Sequence, residues 1–255
     1  MDYTYLSDTV KIKKVSEDGN KGVFEVEGLF RGYGLTIGNA LRRVLLSSLP
    51  GAAVTRFTAK GVGHEFTTIP GVIEDVTELG LNLKQVKFAF YADGPQELFL
   101  RAKGEGTVKA GDISDNAQVK VVNPDQHIAT LTTKGAELDI ILTVEKGLGY
   151  VPVEAQKTER LAVGTIALDA IFSPVVNVNY VVENMRVGDR TDYNRIKLEI
   201  ETDGTISPSS ALHKGANVLI DHLKKVAAVE VQESEEEKMA KGEEKKEEKE
   251  EKEDK

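Results

Sequence analysis

The sequence predicts an α+β protein. Three patterns carry that expectation: period-two strands near both ends of the folded body, an amphipathic helix early and a longer one late, and short turn-punctuated strands between them.

In GVFEVEGLF, Phe24 and Val26 alternate with Glu25 and Glu27, the pattern of a half-buried strand. The next segment, Arg31 to Pro50, reads RGYGLTIGNALRRVLLSSLP. Ile37, Leu41, Val44 and Leu45 recur there at helical spacing and form one apolar face, which Leu46 and Leu49 widen. Pro50-Gly51 ends the helix. AAVTRFTAKGV reads as a strand. Val72 to Leu83 reads as a second helix, with Val72, Val76, Leu79 and Leu83 on one side and Glu74 and Asp75 in a first turn that favours acids.

From Gln85 to Val153 the segments KFAFYA, ELFLRA, AQVKVV and LDIILTVEK suit strands, with Gly94-Pro95 and Asn123-Pro124 between them. Ser173-Pro174 divides IALDAIFSPVVNVNYVVE into two pieces. In RIKLEIETDGTI, Ile196, Leu198 and Ile200 face one way before an Asp203-Gly204 turn.

A long helix then starts at an expected Ser207 N-cap with Pro208 in the first helical position. Leu212, Ala216, Leu219, Leu223 and Val226 step by four, three, four and three, the seam of a helix packed along another helix. A helix of about twenty residues is roughly 30 Å long, and such a seam needs a long partner.

Composition excludes several classes. The chain of 255 residues has no cysteine, so disulfides and thiolate metal sites are ruled out, and a reducing cytoplasm fits. No apolar run reaches the roughly 18 residues of a membrane span, and MDYTYLSDTVKIKK has no apolar signal core, so no membrane role is expected. Residues 233–255 carry twelve acids and seven bases, a net of −5 of the chain's −9. That Glu/Lys-rich tail buries too little apolar surface to fold and reads as disordered. The body is close to neutral and shows no global basic footprint for nucleic acid.

Catalytic motifs are missing. Gly32, Gly34 and Gly38 give G-x-G-x-x-x-G, the wrong spacing for a dinucleotide fingerprint, and there is no P-loop. These glycines either cradle a phosphate, or turn the chain sharply and admit a close neighbour at Gly38. His64, His127, His213 and His222 form no zinc pattern. Asp112 and Asp115, Asp189 and Asp192, and Asp169 do not form a two-metal cluster in sequence. No metal or cofactor is expected. Arg42 and Arg43 point about 100° apart on their helix. They are either a solvated side, or, with Asn39, Ala40, Leu46 and Ser47 around Arg43, an anchor for a desolvated protein contact.

RGYGLTIGNALRRVLLSSLPGAAVT resembles the first helix region of the α subunits of bacterial RNA polymerase. GVGHEFTTIPGVIEDVTELGLNLK, GLGYVPVEA, LDAIFSPVVNVNYVVE and RTDYNRIKLEIETDGTISP resemble later blocks of that family in the same order, so the likeness runs from about Val10 to Glu230.

The resemblance implies a homodimer that nucleates polymerase assembly. It implies a dimerisation subdomain built from residues 1–50 and 172–232, with two long helices on a small sheet, and an inserted, mostly β subdomain at 51–171, leaving 233–255 as the tail. The two long helices supply the dimer contact, through Ile37, Leu41, Val44, Leu45, Leu212, Ala216, Leu219, Leu223 and Val226. One protomer meets β and the other β′, with omega and sigma in the same complex. Arg43 matches the family's β-contact position, with Arg42, Asn39, Leu46 and Ser47 in the same motif. Lys84, Glu78, Ser173 and Pro174 lie in further matching contact regions.

The chain is thereby expected to be a non-catalytic subunit of a nucleotidyltransferase, cytoplasmic and nucleoid-associated through the polymerase. Family members continue into a linker and a small DNA-binding helical domain. Here the Glu/Lys tail follows instead, so DNA contact is expected only through the assembled complex. The rival readings are a free-standing dimeric scaffold and a nucleotide-binding enzyme using the Gly32–Gly38 loop.

Overall fold

The computed structural model describes residues 8–114, 116–156, 162 and 164–229; the Glu/Lys-rich tail and Asp115 lie outside them. In chain order the first elements are β1 (Lys11–Asp18), β2 (Lys21–Leu29), α1 (Tyr33–Ser47), β3 (Pro50–Ala59) and α2 (Val76–Lys84). Then come β4 (Phe88–Phe90), β5 (Gln96–Lys103), β6 (Gly106–Lys109), β7 (Val119–Val121), β8 (His127–Leu131) and β9 (Glu137–Leu148). The last are β10 (Tyr150–Val151), β11 (Thr165–Ala167), β12 (Ala170–Ile171), β13 (Val175–Val187), β14 (Arg190–Thr202) and α3 (Pro208–Ala227). The fold is α+β, with antiparallel sheets.

One four-stranded sheet has the order β1-β2-β14-β13. Its inner face presents Phe24, Val26, Val178, Ile196, Leu198 and Ile200 to α1 and α3, and these side chains form one buried cluster with Leu41, Leu45, Ala211 and Leu212. Its outer face carries a cross-strand charge ladder: Lys13 pairs with Glu27 at 2.6 Å, and Arg195 with both Glu27 and Glu183. The ladder explains why β1 gives no strand signal in the sequence. KIKKVSED is exposed along almost its whole length, so no alternation is imposed on it.

The start of α1 answers the glycine question. Gly32 has φ of 86°, and the buried Asn194 side chain of β14 accepts hydrogen bonds from the Gly32 N–H (2.9 Å) and the Gly34 N–H (3.4 Å). A Cβ on Gly34 would come within 2.6 Å of Val182, and one on Gly38 within 2.7 Å of the Tyr180 ring. Gly34 and Gly38 let the helix backbone lie directly on the sheet, and the N–H groups of Gly32 and Gly34 serve a protein side chain.

Helix α3 crosses α1 closely. A Cβ on Gly215 would stand 3.0 Å from Leu45. Its N-terminus is capped twice: Ser207 Oγ accepts from the Ser210 N–H, and Glu17 of β1 accepts from the Ser209 N–H (2.9 Å) and Oγ (2.6 Å). The Ser209 hydroxyl, then its N–H, then Lys14 lower the Glu17 pKa from 4.5 to about 2. A depressed carboxylate stabilises the fold above its unfolded pKa and loses that contribution as pH falls. Glu17→Gln therefore melts lower than wild type at pH 7, and the gap closes between pH 4.5 and 2. Thermal melts across that range check this; a gap independent of pH would show that the charge of Glu17 does not act on α3.

The second sheet, β11-β3-β9-β5, packs with α2 and the short strand pairs β4–β7 and β6–β8 around a separate core. Phe57, Leu79, Leu83, Phe88, Leu98, Leu100, Ile128, Ile140 and Leu142 are its largest fully buried side chains. Helix α2 begins four residues later than the sequence pattern suggests. Asp75 is its N-cap, accepting from the Glu78 N–H at 2.7 Å. Glu74 stays outside the helix because its carboxylate is held by His127 Nε2 (2.8 Å) and the Thr130 N–H (2.6 Å). Burial pushes the Glu74 carboxyl up, but those hydrogen bonds outweigh it and hold its pKa below the usual value. Val72 is bridged to Leu131 instead of being helical.

A third, small cluster of Ala53, Ala170 and Phe172 lies where the chain passes between the two cores. The chain divides into compact units Met1–Leu219 and Ile220–Lys255. The second contains the last turns of α3, where Leu223 and Val226 are exposed. Among the described residues no helix is long and apolar enough to cross a membrane.

Candidate assembly interface

Helix α1 has two unlike sides. Gly34, Gly38, Leu41 and Leu45 are buried against the sheet. Asn39, Arg42, Arg43 and Ser47 are exposed, and Leu46 is half-buried. The Ser47 hydroxyl donates to the Arg43 carbonyl at 2.8 Å, as helix geometry favours for a serine one turn on. Neither guanidinium group has an ion-pair or hydrogen-bond partner among the described residues. Two free guanidinium groups on one exposed helix side suit a carboxylate-bearing surface.

The structure brings three separate sequence candidates to one place. The end of α1 leads into β3, and Pro50 pairs with Leu148 at the end of β9. Gly149, at φ of 61°, then turns the chain into β10, and a Cβ there would sit 3.6 Å from the Ser47 carbonyl. Tyr150 of β10 pairs with Ile171 of β12, two residues before Ser173-Pro174. On the other flank Lys84 of α2 pairs with Asp169 at 3.4 Å.

Asp169 also accepts from the Val153 N–H at 3.1 Å. That bond and Lys84 outweigh partial burial and keep the Asp169 carboxyl ionised below its usual range. Partial burial and the Asp169 carboxylate together push the Tyr150 phenol up. A cavity of about 210 Å³ opens beside this pair, lined by Leu81, Lys84, Val153, Leu168 and Asp169 among others. Arg43 and Ser47, Lys84, and Ser173-Pro174 thus ring the β9–β10 hairpin.

The candidates differ in exposure and direction. Glu78 is exposed in the first turn of α2, about 120° around the helix from Lys84. Pro174 is buried and Ser173 half-buried, its hydroxyl turned to the Val175 carbonyl at 3.2 Å. Of the residues expected at the dimer contact, Leu41, Leu45 and Leu212 are buried in the protomer's own core. Ile37, Val44, Ala216 and Leu219 are half-buried, and Ile37, Ala216 and Leu219 pack against that core. Leu223 and Val226 remain 64% and 69% exposed.

Sequence reasoning passed over Leu148, Tyr150 and Ile171, although GLGYVPVEA was singled out as a block. They are 57%, 58% and 48% exposed. A period-two reading cannot flag them, because the glycine turn breaks the alternation and Ile171 joins them only through strand pairing.

Comparison with known proteins gives a consistent result. Residues 55–173 match the family described as the RNA polymerase Rpb3/RpoA insert domain. The chain is 52% identical over 210 residues to the DNA-directed RNA polymerase subunit alpha of Symbiobacterium thermophilum, covering 82% of this chain and 66% of the relative. It is 50% identical over 214 residues to that of Moorella thermoacetica, covering 84% and 68%. It is 49% identical over 217 residues to that of Roseiflexus sp., covering 85% and 67%. The chain thus spans about two thirds of the length of these relatives.

Proposed function

The chain belongs to the family of bacterial RNA polymerase α subunits, and from that premise we propose that it forms a homodimer on which β and β′ assemble. In this reading it contributes no catalytic residue, works in the cytoplasm, and meets omega, sigma and DNA only within the assembled complex. The dimerisation body consists of residues 1–50 and 172–232, with 51–171 inserted. Two separate buried clusters support that division, one drawn from Phe24–Leu49 and Val175–Leu212 and the other from Val54–Ile166.

The observation that carries the reading is the two-sidedness of α1. Its inner side packs Gly34, Gly38, Leu41 and Leu45 into the protomer, and its outer side presents Arg42 and Arg43 with no acid paired to them among the described residues. Arginine is a favoured interface anchor because its planar donors bind carboxylates in pairs.

Capture of purified β by the full chain tests this. Arg43→Ala retains the fold and the dimer, since the residue leaves the packed side of α1, but binds β roughly 30-fold more weakly, the effect of losing an anchor worth about 2 kcal/mol. Unchanged capture would make the arginine a solvated bystander. Failure of the folded wild-type chain to capture β would refute the assembly role.

A further inference from the structure

The β9–β10 hairpin holds an apolar surface with no function assigned to it so far. Leu148, Tyr150 and Ile171 are large and exposed; Tyr150 and Ile171 are direct cross-strand partners, and Leu148 lies across the Gly149 turn from Tyr150. Single exposed apolar side chains are ordinary on a protein surface, but a contiguous set that includes a tyrosine is typical of a contact centre.

Two features set this group apart from a chance patch. First, its backbone is tied down. Gly149 accepts from the Phe172 N–H at 2.7 Å, which ties the hairpin to β12 and places the buried Phe172 beneath it. Asp169, just before β12, is held by Lys84 and the Val153 N–H. Second, it is continuous with the exposed arginines of α1. Leu148 pairs with Pro50, just beyond the end of α1, and the hairpin turn reaches the Ser47 carbonyl one turn from Arg43.

We propose that Leu148, Tyr150 and Ile171 are the apolar centre of the contact with β, seating an apolar segment of that subunit whose flanking carboxylates meet Arg42 and Arg43. The proposal rests on the reading that α1 meets β. Positive charge beside an exposed apolar surface calls for a partner with acidic residues around an apolar core, the composition of a standard contact with its polar rim. It also explains why Arg43, Lys84 and Ser173, far apart in sequence, surround one hairpin.

The test is capture of purified β by the full chain, comparing wild type, Arg43→Ala, Ile171→Asp, Leu148→Asp and Tyr150→Phe, with dimer mass and melting temperature recorded for each. Ile171→Asp and Leu148→Asp are expected to weaken capture at least tenfold while remaining dimeric and melting near wild type. Tyr150→Phe keeps the ring and retains most of the affinity. If Arg43→Ala loses capture and both aspartate variants bind like wild type, the hairpin is not part of the contact and only this proposal falls. If the aspartate variants become monomeric, the surface belongs to the contact between copies and the proposal is overturned. If wild type fails to capture β, the assembly reading falls and takes this one with it.

Discussion

Leu223→Asp is expected to convert the dimer to a monomer at micromolar concentration while leaving the protomer folded. Most of the α3 seam is already occupied inside the protomer: Leu212 is buried, and Ala216 and Leu219 pack on the same core as Leu45. The apolar surface left free on the helix is Ile220, Leu223 and Val226, each three residues from the last. Burying a leucine is worth about 1.5–3 kcal/mol, and a two-fold contact counts each change twice. Losing that, and placing two unpaired carboxylates in the seam, weakens the dimer by at least about 3–6 kcal/mol, or roughly 10²–10⁴-fold. Sedimentation equilibrium reads the mass and far-ultraviolet circular dichroism the fold. A variant that stays dimeric would move the contact off the end of α3. The choice of position matters: aspartate at Leu219 would damage the protomer's own packing, so loss of the dimer there would say nothing about the interface.

The long, periodic elements were legible in the sequence, for identifiable reasons. β14 and α3 each have one side in the core and one in water, so Ile196, Leu198 and Ile200 or Leu212, Ala216 and Leu219 mark their period. The elements that were missed lack that asymmetry. β1 is exposed on both faces and is held by ion pairs along β2, leaving nothing for hydrophobic alternation to record. The early start assigned to α2 failed because Glu74 looks like a first-turn acid, yet it is committed to His127 and Thr130, more than fifty residues away. A carboxylate favoured by a helix dipole and one trapped by a distant strand are the same letter in sequence.

The candidate interface was legible in a different way. Arg43, Lys84 and Ser173-Pro174 were reached by resemblance to aligned blocks, and nothing in their spacing says that they are neighbours. Their convergence depends on the chain leaving one core at Pro50 and returning to it after Phe172. The seam residues show the opposite failure. Helical periodicity finds the apolar side of α1 and α3 correctly, but cannot divide it between the protomer's own core and a second copy. Leu41 and Leu45 look identical to Leu223 by period and differ only in what the sheet already covers.

That crossing point supplies the second large expected effect. Gly51 of β3 and Gly147 of β9 are direct partners, and both lie under Phe172. A Cβ on Gly147 would stand 2.6 Å from the Phe172 ring, and one on Gly51 would overlap the Phe172 carbonyl oxygen. The obstacle at Gly51 is backbone, so it cannot turn aside as a side chain would. Gly51→Val must push β12 away, opening the Ala53–Ala170–Phe172 cluster and breaking the bond from the Phe172 N–H to Gly149. Overpacking of this kind costs about 1–3 kcal/mol, and displaced backbone places this case at the upper end. Gly94→Ala is the control, because a Cβ there meets nothing within 4 Å. Urea unfolding is expected to show a loss of about 3 kcal/mol for Gly51→Val and almost none for Gly94→Ala. Because β12 carries Ile171, the same variant should also bind β more weakly, although it alters no exposed side chain of the hairpin. Stability within about 0.5 kcal/mol of wild type would mean that the two glycines are not what allows Phe172 to join the two halves of the chain.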